Sequence, residues 1–242
     1  MVPGDPARRD EHGSRTYAIE DCTPNVLELR DLLLAKSQYT LVKLSPMLDW
    51  RKAVADFDGT VREVHIVATG NECKELLLVL GQQVHEEPSA PRVFCVNDNQ
   101  RIDYDSAAYT QGLRIGGKPL PEAKNYLYEP NASIMKAGCF DLVEERFGVT
   151  QVGPSSHLFV SATPVADFPG RGFAIEAIGG MNKKDIKRLL NGTKQANIAV
   201  RNFPLTAPQL RKKLKLADGG PVYLFGTTMQ GCDHVLLRTS KI

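Results

Sequence analysis

Apolar and polar positions along the chain switch repeatedly between a period near 3.6 and a period of 2, and each switch marks an element. Thr23-Pro24 precedes Val26, Leu27, Leu29 and Leu32-Leu33-Leu34 at helical spacing, with Thr23 as N-cap and Pro24 as first helical residue. Tyr39 to Ser45 is short, rich in β-formers and stopped by Pro46, which predicts a strand. Met47 to Phe57 predicts a helix broken at Asp58-Gly59, and Val61 to Ala68 a second strand closed by Gly70. Glu72 to Leu80 is predicted helical and apolar on one face, with Gly81 as its cap. Pro91 to Asn97 predicts a third strand. Helices and strands that alternate in this way imply an α/β fold with a parallel, doubly wound sheet.

Residues 98–125 are weakly patterned, carry Gly112, Gly116, Gly117, Pro119 and Pro121, and predict a hairpin or linker at a domain boundary. Tyr126 to Pro130 leads into a predicted helix over 132–147, capped by Gly148. Strands are expected at Val149–Val152, His157–Ser161 and Gly172–Ile178, so that 126–178 forms a small α+β sheet of ferredoxin-like type. After Gly179-Gly180, residues 179–242 predict a basic helix over Asn182–Leu190 and a strand over Ala196–Val200. A turn at Arg201-Asn202-Phe203-Pro204 and a second basic helix from Thr206-Ala207-Pro208 to Leu214 follow, then strands at Pro221–Thr227 and His234–Thr239.

Charge changes the picture in the last module only. The chain carries a formal net charge of +2. Between Met181 and Lys215, however, ten Lys and Arg face the single acid Asp185, a local balance of +9 that suits a polyanionic partner. On the first basic helix Lys183, Lys184, Lys187 and Arg188 share one face, with Ile186, Leu189 and Leu190 turned inward. On the second, Arg211, Lys212 and Lys215 group beside the buried pair Leu210 and Leu214. With Lys194 and the Arg201-Asn202-Phe203 turn they form a candidate phosphate-binding surface, Phe203 serving either to stack on a base or as a core residue. The alternative is a basic face that meets only solvent. Arg171, in the turn Phe168-Pro169-Gly170-Arg171, either touches phosphate or pairs with Glu176 or Asp167.

Elsewhere the chemistry is sparse. Cys22, Cys73, Cys95, Cys139 and Cys232 lie far apart and odd in number, which predicts reduced thiols and no metal site. No glycine-rich phosphate loop and no nucleophile elbow occurs. No apolar run approaches the roughly 20 residues that span a bilayer, and the N-terminus lacks the apolar core of a signal peptide. The expectation is a soluble, cytoplasmic protein without a membrane partner. Asp5-Pro6-Ala7-Arg8-Arg9 admits two readings. If it ends a strand of the sheet, Asp5 and Pro6 stand at the rim where such folds bind ligands, with Arg8 and Arg9 able to hold phosphate. Otherwise it is a loose, charged terminus.

A series of blocks adds to these patterns: Asp5-Pro6-Ala7-Arg8-Arg9, Asp21-Cys22-Thr23-Pro24, and Val42-Lys43-Leu44-Ser45-Pro46-Met47-Leu48-Asp49. They continue with Tyr126-Leu127-Tyr128-Glu129-Pro130-Asn131-Ala132, Lys136-Ala137-Gly138, Phe168-Pro169-Gly170-Arg171-Gly172-Phe173, and Ala196-Asn197-Ile198 with Arg201-Asn202-Phe203-Pro204. In this order they resemble a class I S-adenosylmethionine-dependent methyltransferase family that carries a ferredoxin-like domain and a C-terminal THUMP-like domain. The resemblance implies that residues 1–97 are the C-terminal half of a Rossmann-like methyltransferase sheet, followed by a ferredoxin-like domain and a THUMP-like RNA-binding domain. It implies a catalytic role for Asp5 and Pro6 on the methyl-acceptor side, and tRNA or rRNA as partner. The family's glycine-rich loop and acidic ribose-binding residue are missing here. S-adenosylmethionine is therefore expected in the intact protein and not in this chain, which alone should be inactive. The rival expectation is a non-catalytic module that binds RNA or an acidic protein surface.

Overall fold

The computed structural model describes residues 2–4, 19, 24–82, 90–109, 124–231 and 233–242. The chain divides into two units, the first made of residues 1–112 and 132–138, the second of residues 113–131 and 139–242.

In the first unit the strands are β1 (Val2–Gly4), β2 (Tyr39–Leu44), β3 (Val61–Thr69), β4 (Glu72–Gly81), β5 (Arg92–Asn97) and β6 (Gln100–Asp105). Its helices are α1 (Arg30–Lys36), α2 (Trp50–Asp56) and α3 (Ala132–Ala137). Both α1 and α2 are shorter than their apolar patterns predict. In α2 the start is fixed by Asp49, whose carboxylate accepts from the backbone N–H of Arg51 at 2.8 Å and of Lys52 at 3.1 Å.

The predicted helix over 72–80 is instead β4, and this corrects the parallel doubly wound sheet. Gly70 and Asn71 both adopt positive φ (58° and 62°), the backbone of a tight two-residue hairpin turn that returns the chain antiparallel to β3. Leu76, Leu78 and Leu80 are then fully buried on one face, while Leu77 and Val79 stand on the other. The sheet order is β1-β2-β4-β3-β5-β6. β1, β2, β3 and β5 run in one direction and β4 and β6 oppose them, so the sheet is mixed. The carboxyl ends of the four like-directed strands, Gly4, Leu44, Thr69 and Asn97, therefore share one edge.

The helix expected over 132–147 breaks at Gly138 (φ 67°). Its first half, α3, lies against β3, β4 and β5 in the first unit. Ala137 O at its end accepts from Trp50 Nε1 at 3.3 Å and Arg51 Nη2 at 2.9 Å, partners that satisfy a free helix carbonyl.

The second unit contains β7 (Tyr126–Pro130), α4 (Phe140–Phe147), β8 (Thr150–Gln151), β9 (Phe159–Ser161), β10 (Gly170–Gly179), α5 (Lys183–Leu190), β11 (Asn197–Arg201), α6 (Ala207–Leu214), β12 (Val222–Thr228) and β13 (His234–Lys241). Its strands form one sheet in the order β11-β12-β13-β10-β7-β9-β8. β10 pairs with β7 on one side and β13 on the other, so the two halves of this unit share a continuous sheet. Alternation along the strands gives it two apolar faces. Leu127, Phe173, Phe225 and Leu237 bury one cluster with Val152, Leu158 and Val160. Leu224 and Leu236, one residue out of phase, bury the other with Leu189, Leu210 and Leu214. Helices α5 and α6 thus form one layer on a single face.

The sheet is curled around the first cluster. After β8, Val152 O accepts from Gln230 N at 2.9 Å, and Pro154 O accepts from Asn202 Nδ2 at 2.8 Å. Gly153 lies so close to the chain after β12 that a Cβ there would meet Thr228 O at 2.4 Å. One edge of the sheet has come round to the ends of β11 and β12.

Candidate nucleic-acid interface

Local chemistry fixes both basic helices. Asn182 caps α5 by accepting from Asp185 N at 2.9 Å. Thr206 and Gln209 form a reciprocal capping box at the start of α6, with Pro208 in its first turn. Leu189, Leu210 and Leu214 are buried, with Ile186 and Leu190 packed beside them, as helical spacing predicts.

Asp185, the single acid of the segment, is turned back on its own helix. Its carboxylate accepts from Gly180 N at 2.9 Å, Asn182 Nδ2 at 2.8 Å and Arg188 Nη2 at 3.1 Å. These bonds, the Gly180 N–H first, hold its carboxyl below the usual range. The Gly179-Gly180 turn and the start of α5 are therefore already occupied by a carboxylate.

Lys183, Lys184 and Lys187 on α5, Lys194 after it, Lys212 and Lys213 on α6 and Lys215 at its C-cap are all exposed. None of these seven is paired with a carboxylate among the described residues. Because α5 and α6 occupy one layer, both contribute lysines to the same side of the sheet.

The arginines behave differently. Arg188 pairs with Asp185 and also donates to Ile178 O at 2.7 Å. Arg211 pairs with Asp218 at 2.6 Å and donates to Ala196 O and Ala217 O at 2.9 and 3.0 Å. Arg171 reaches neither Glu176 nor Asp167. It stands opposite Glu129 on β7, donating through Nε at 3.0 Å and through Nη2 to the same carboxylate oxygen. Arg201 Nη2 donates to the other oxygen of Glu129 at 2.7 Å. Asn202 holds Pro154 O, and its own carbonyl accepts from the Thr228 hydroxyl. Phe203 packs into the second apolar cluster, against Gly226 and edge-on to His234, which makes it a core residue and not a stacking platform.

Sequence reasoning missed Glu129, which is 72 residues from Arg201, and His157. The His157 ring stacks on Phe140 with centroids 4.6 Å apart. Burial, and secondarily the Arg201 charge, push its pKa below the ordinary value. Asp5, Pro6, Arg8 and Arg9 lie outside the described residues, although β1, which they follow directly, is parallel to β2. On the same edge, Asp98 is engaged with Gly70 N at 3.1 Å. No described helix is long and apolar enough to cross a membrane. No His, Cys, Asp and Glu cluster suited to a metal occurs among the described residues.

Comparison with known proteins agrees with this architecture. Residues 126–169 match a family model described as a ferredoxin-like domain, and residues 170–241 match one described as THUMP domain-like. The two models meet at the start of β10, whereas the sequence patterns place a boundary after residue 178. The chain is similar to a solved "putative methyltransferase" from Porphyromonas gingivalis W83, with 34% identity and a TM-score of 0.86. The similarity covers 99% of this chain and 59% of that one, so the chain spans somewhat more than half the length of its relative. No curated protein matches it. The chain therefore carries a ferredoxin-like segment followed by a THUMP domain-like segment, and over its length it is similar to part of that solved protein.

Proposed function

We propose that this chain is the RNA-positioning part of an S-adenosylmethionine-dependent RNA methyltransferase. The observation that carries the reading is the layer of α5 and α6, whose seven lysines have no carboxylate partner among the described residues and lie within the THUMP domain-like segment. Lysines kept free of acids attract phosphates along a backbone without selecting a base, and so set where an RNA lies. Lys183, Lys184, Lys187, Lys194, Lys212 and Lys215 serve this contact directly. Arg188 and Arg211, tied to carboxylates and carbonyls, shape the helices that carry them.

In this reading residues 1–97 contribute part of a Rossmann-like methyltransferase domain, 126–178 a ferredoxin-like domain and 179–242 the RNA-binding domain. Asp5 and Pro6, which follow β1 in sequence, serve the methyl acceptor, and Arg8 and Arg9 contribute phosphate contacts. The methyl group comes from S-adenosylmethionine held mainly by protein outside this chain. The acceptor is a structured RNA of the tRNA or rRNA class. Two titrations test the reading together. Structured RNA should bind this chain with an affinity that falls steeply with salt, and calorimetry with S-adenosylmethionine should give no tight binding. RNA binding no stronger than that of a lysine-poor control protein would overturn it.

A further inference from the structure

At one end of the curled sheet, four polar side chains continue the rows of the first apolar cluster. On β7 Glu129 follows Leu127, on β10 Arg171 precedes Phe173, on β11 Arg201 follows Ala199, and on β12 Thr227 follows Phe225, each two residues along and so on the same face. Glu129 is deeply buried, its side chain 5% exposed, and the guanidinium groups of Arg171 and Arg201 converge on it from different strands. Two positive charges on one buried carboxylate leave a surplus of one, and the two arginine side chains stay 44% and 39% exposed.

The cluster has unused capacity. Arg201 Nε and Thr227 Oγ1 are both buried without a hydrogen-bond partner among the described residues. They are adjacent, because Arg201 and Thr227 are paired in register on β11 and β12, and Thr227 is 0% exposed. A buried polar group left without a partner is costly, so two on register-paired residues ask for a common partner. A structural staple needs the Glu129 contacts and nothing more. It explains neither the orphan pair nor the exposure of the arginines.

We propose that Arg171, Arg201 and Thr227 form a phosphate-binding subsite, with Glu129 as a positioning residue that holds both guanidinium groups in a fixed fork. This rests on the RNA reading above: the ligand is a phosphate of the bound RNA, gripped at a defined point apart from the diffuse lysine layer. A fork held from behind by a carboxylate presents its remaining N–H groups in the bidentate geometry that suits a phosphate.

Two substitutions separate this subsite from general electrostatics, both read as RNA affinity with the full chain. Thr227→Val keeps the buried shape and removes an unmade hydroxyl, so the free protein should melt at or above the wild-type temperature. RNA affinity should nevertheless fall by about ten- to a hundred-fold, the loss expected for one hydrogen bond to a charged oxygen. Glu129→Gln removes a negative charge, which bulk electrostatics predicts will tighten RNA binding. The proposal predicts weaker binding, because the fork loses its alignment. RNAs with and without a terminal monophosphate are titrated in parallel. A loss confined to the phosphorylated RNA assigns a chain end and a loss in both assigns the internal backbone, and either result supports the subsite. Wild-type affinity in Thr227→Val, or tighter binding by Glu129→Gln, overturns it while leaving the lysine layer intact. A wild-type chain that binds no RNA overturns both.

Discussion

Arg201 Nη2 lies 2.7 Å from a carboxylate oxygen of Glu129, although their strands stand four places apart in the order β11-β12-β13-β10-β7. In a flat sheet that separation is roughly 19 Å, beyond the reach of an arginine. The ion pair therefore measures how far the sheet has curled, and it ties the edge strand β11 to β7.

The curl depends on close backbone approach at Gly153. With Thr228 O 2.4 Å from where a Cβ would stand, Gly153→Ala must push the loop after β8 away from β12. The expected cost is about 2 kcal/mol or more, seen as a lower denaturant midpoint, together with faster amide exchange at Gln230, whose N–H bonds Val152 O.

Arg238 secures the C-terminal end of α5. It donates to Leu189 O and Leu190 O at 3.0 Å, to Thr193 Oγ1 at 2.7 Å and to Glu176 at 2.7 Å. Arg238→Met strands these acceptors and should lower stability by about 2–3 kcal/mol in a chemical denaturation series. A loss below about 0.5 kcal/mol would remove Arg238 from this role.

On α5 itself, neighbouring cations should respond differently to substitution. Lys187→Ala removes an unpaired surface charge and should leave the melting temperature unchanged. Arg188→Ala removes the partner of Asp185 and of Ile178 O and should lower the melting temperature measurably. Equal melting temperatures would show that Arg188 is as unengaged as its neighbour.

His157 gives the fold a pH dependence whose sign follows from its environment. Its folded pKa is lowered, by burial first and by Arg201 second, so below about pH 6.5 the unfolded chain takes up a proton that the folded chain resists. Stability is complete above that pH and falls as pH drops through the window below it. The denaturant midpoint of the wild type should be lower at pH 5.5 than at pH 7.5, and His157→Gln should reduce that difference. Identical pH dependence in the variant would contradict it.

The C-terminal half of the fold was legible because its signals are local. Asn182, Thr206 and Gln209 cap helices as their types predict, and the spacing of Leu189, Leu210 and Leu214 marks the buried stripes. The first unit was less legible. Leu76-Leu77-Leu78-Val79-Leu80 is apolar at every position, satisfies both periods, and hides a strand whose only marker is the Gly70-Asn71 turn. At the site, the lysines could be found by counting charge. The separation of free lysines from anchored arginines could not, because Glu129 acts on Arg201 across 72 residues of chain. Asp5, Pro6, Arg8 and Arg9 fall outside the described residues and stand on the sequence resemblance.

The central claim, that the unpaired lysines of α5 and α6 bind an RNA backbone, is tested most directly by the salt dependence of RNA affinity. The wild type is compared with a variant in which Lys183, Lys184, Lys187, Lys212, Lys213 and Lys215 are replaced by Gln. Each lost phosphate contact should reduce the slope of log affinity against log salt by about 0.7–0.9, so the variant should show a slope shallower by several units and weaker binding at low salt, with its melting temperature unchanged. A folded variant with the wild-type slope and affinity would contradict the account.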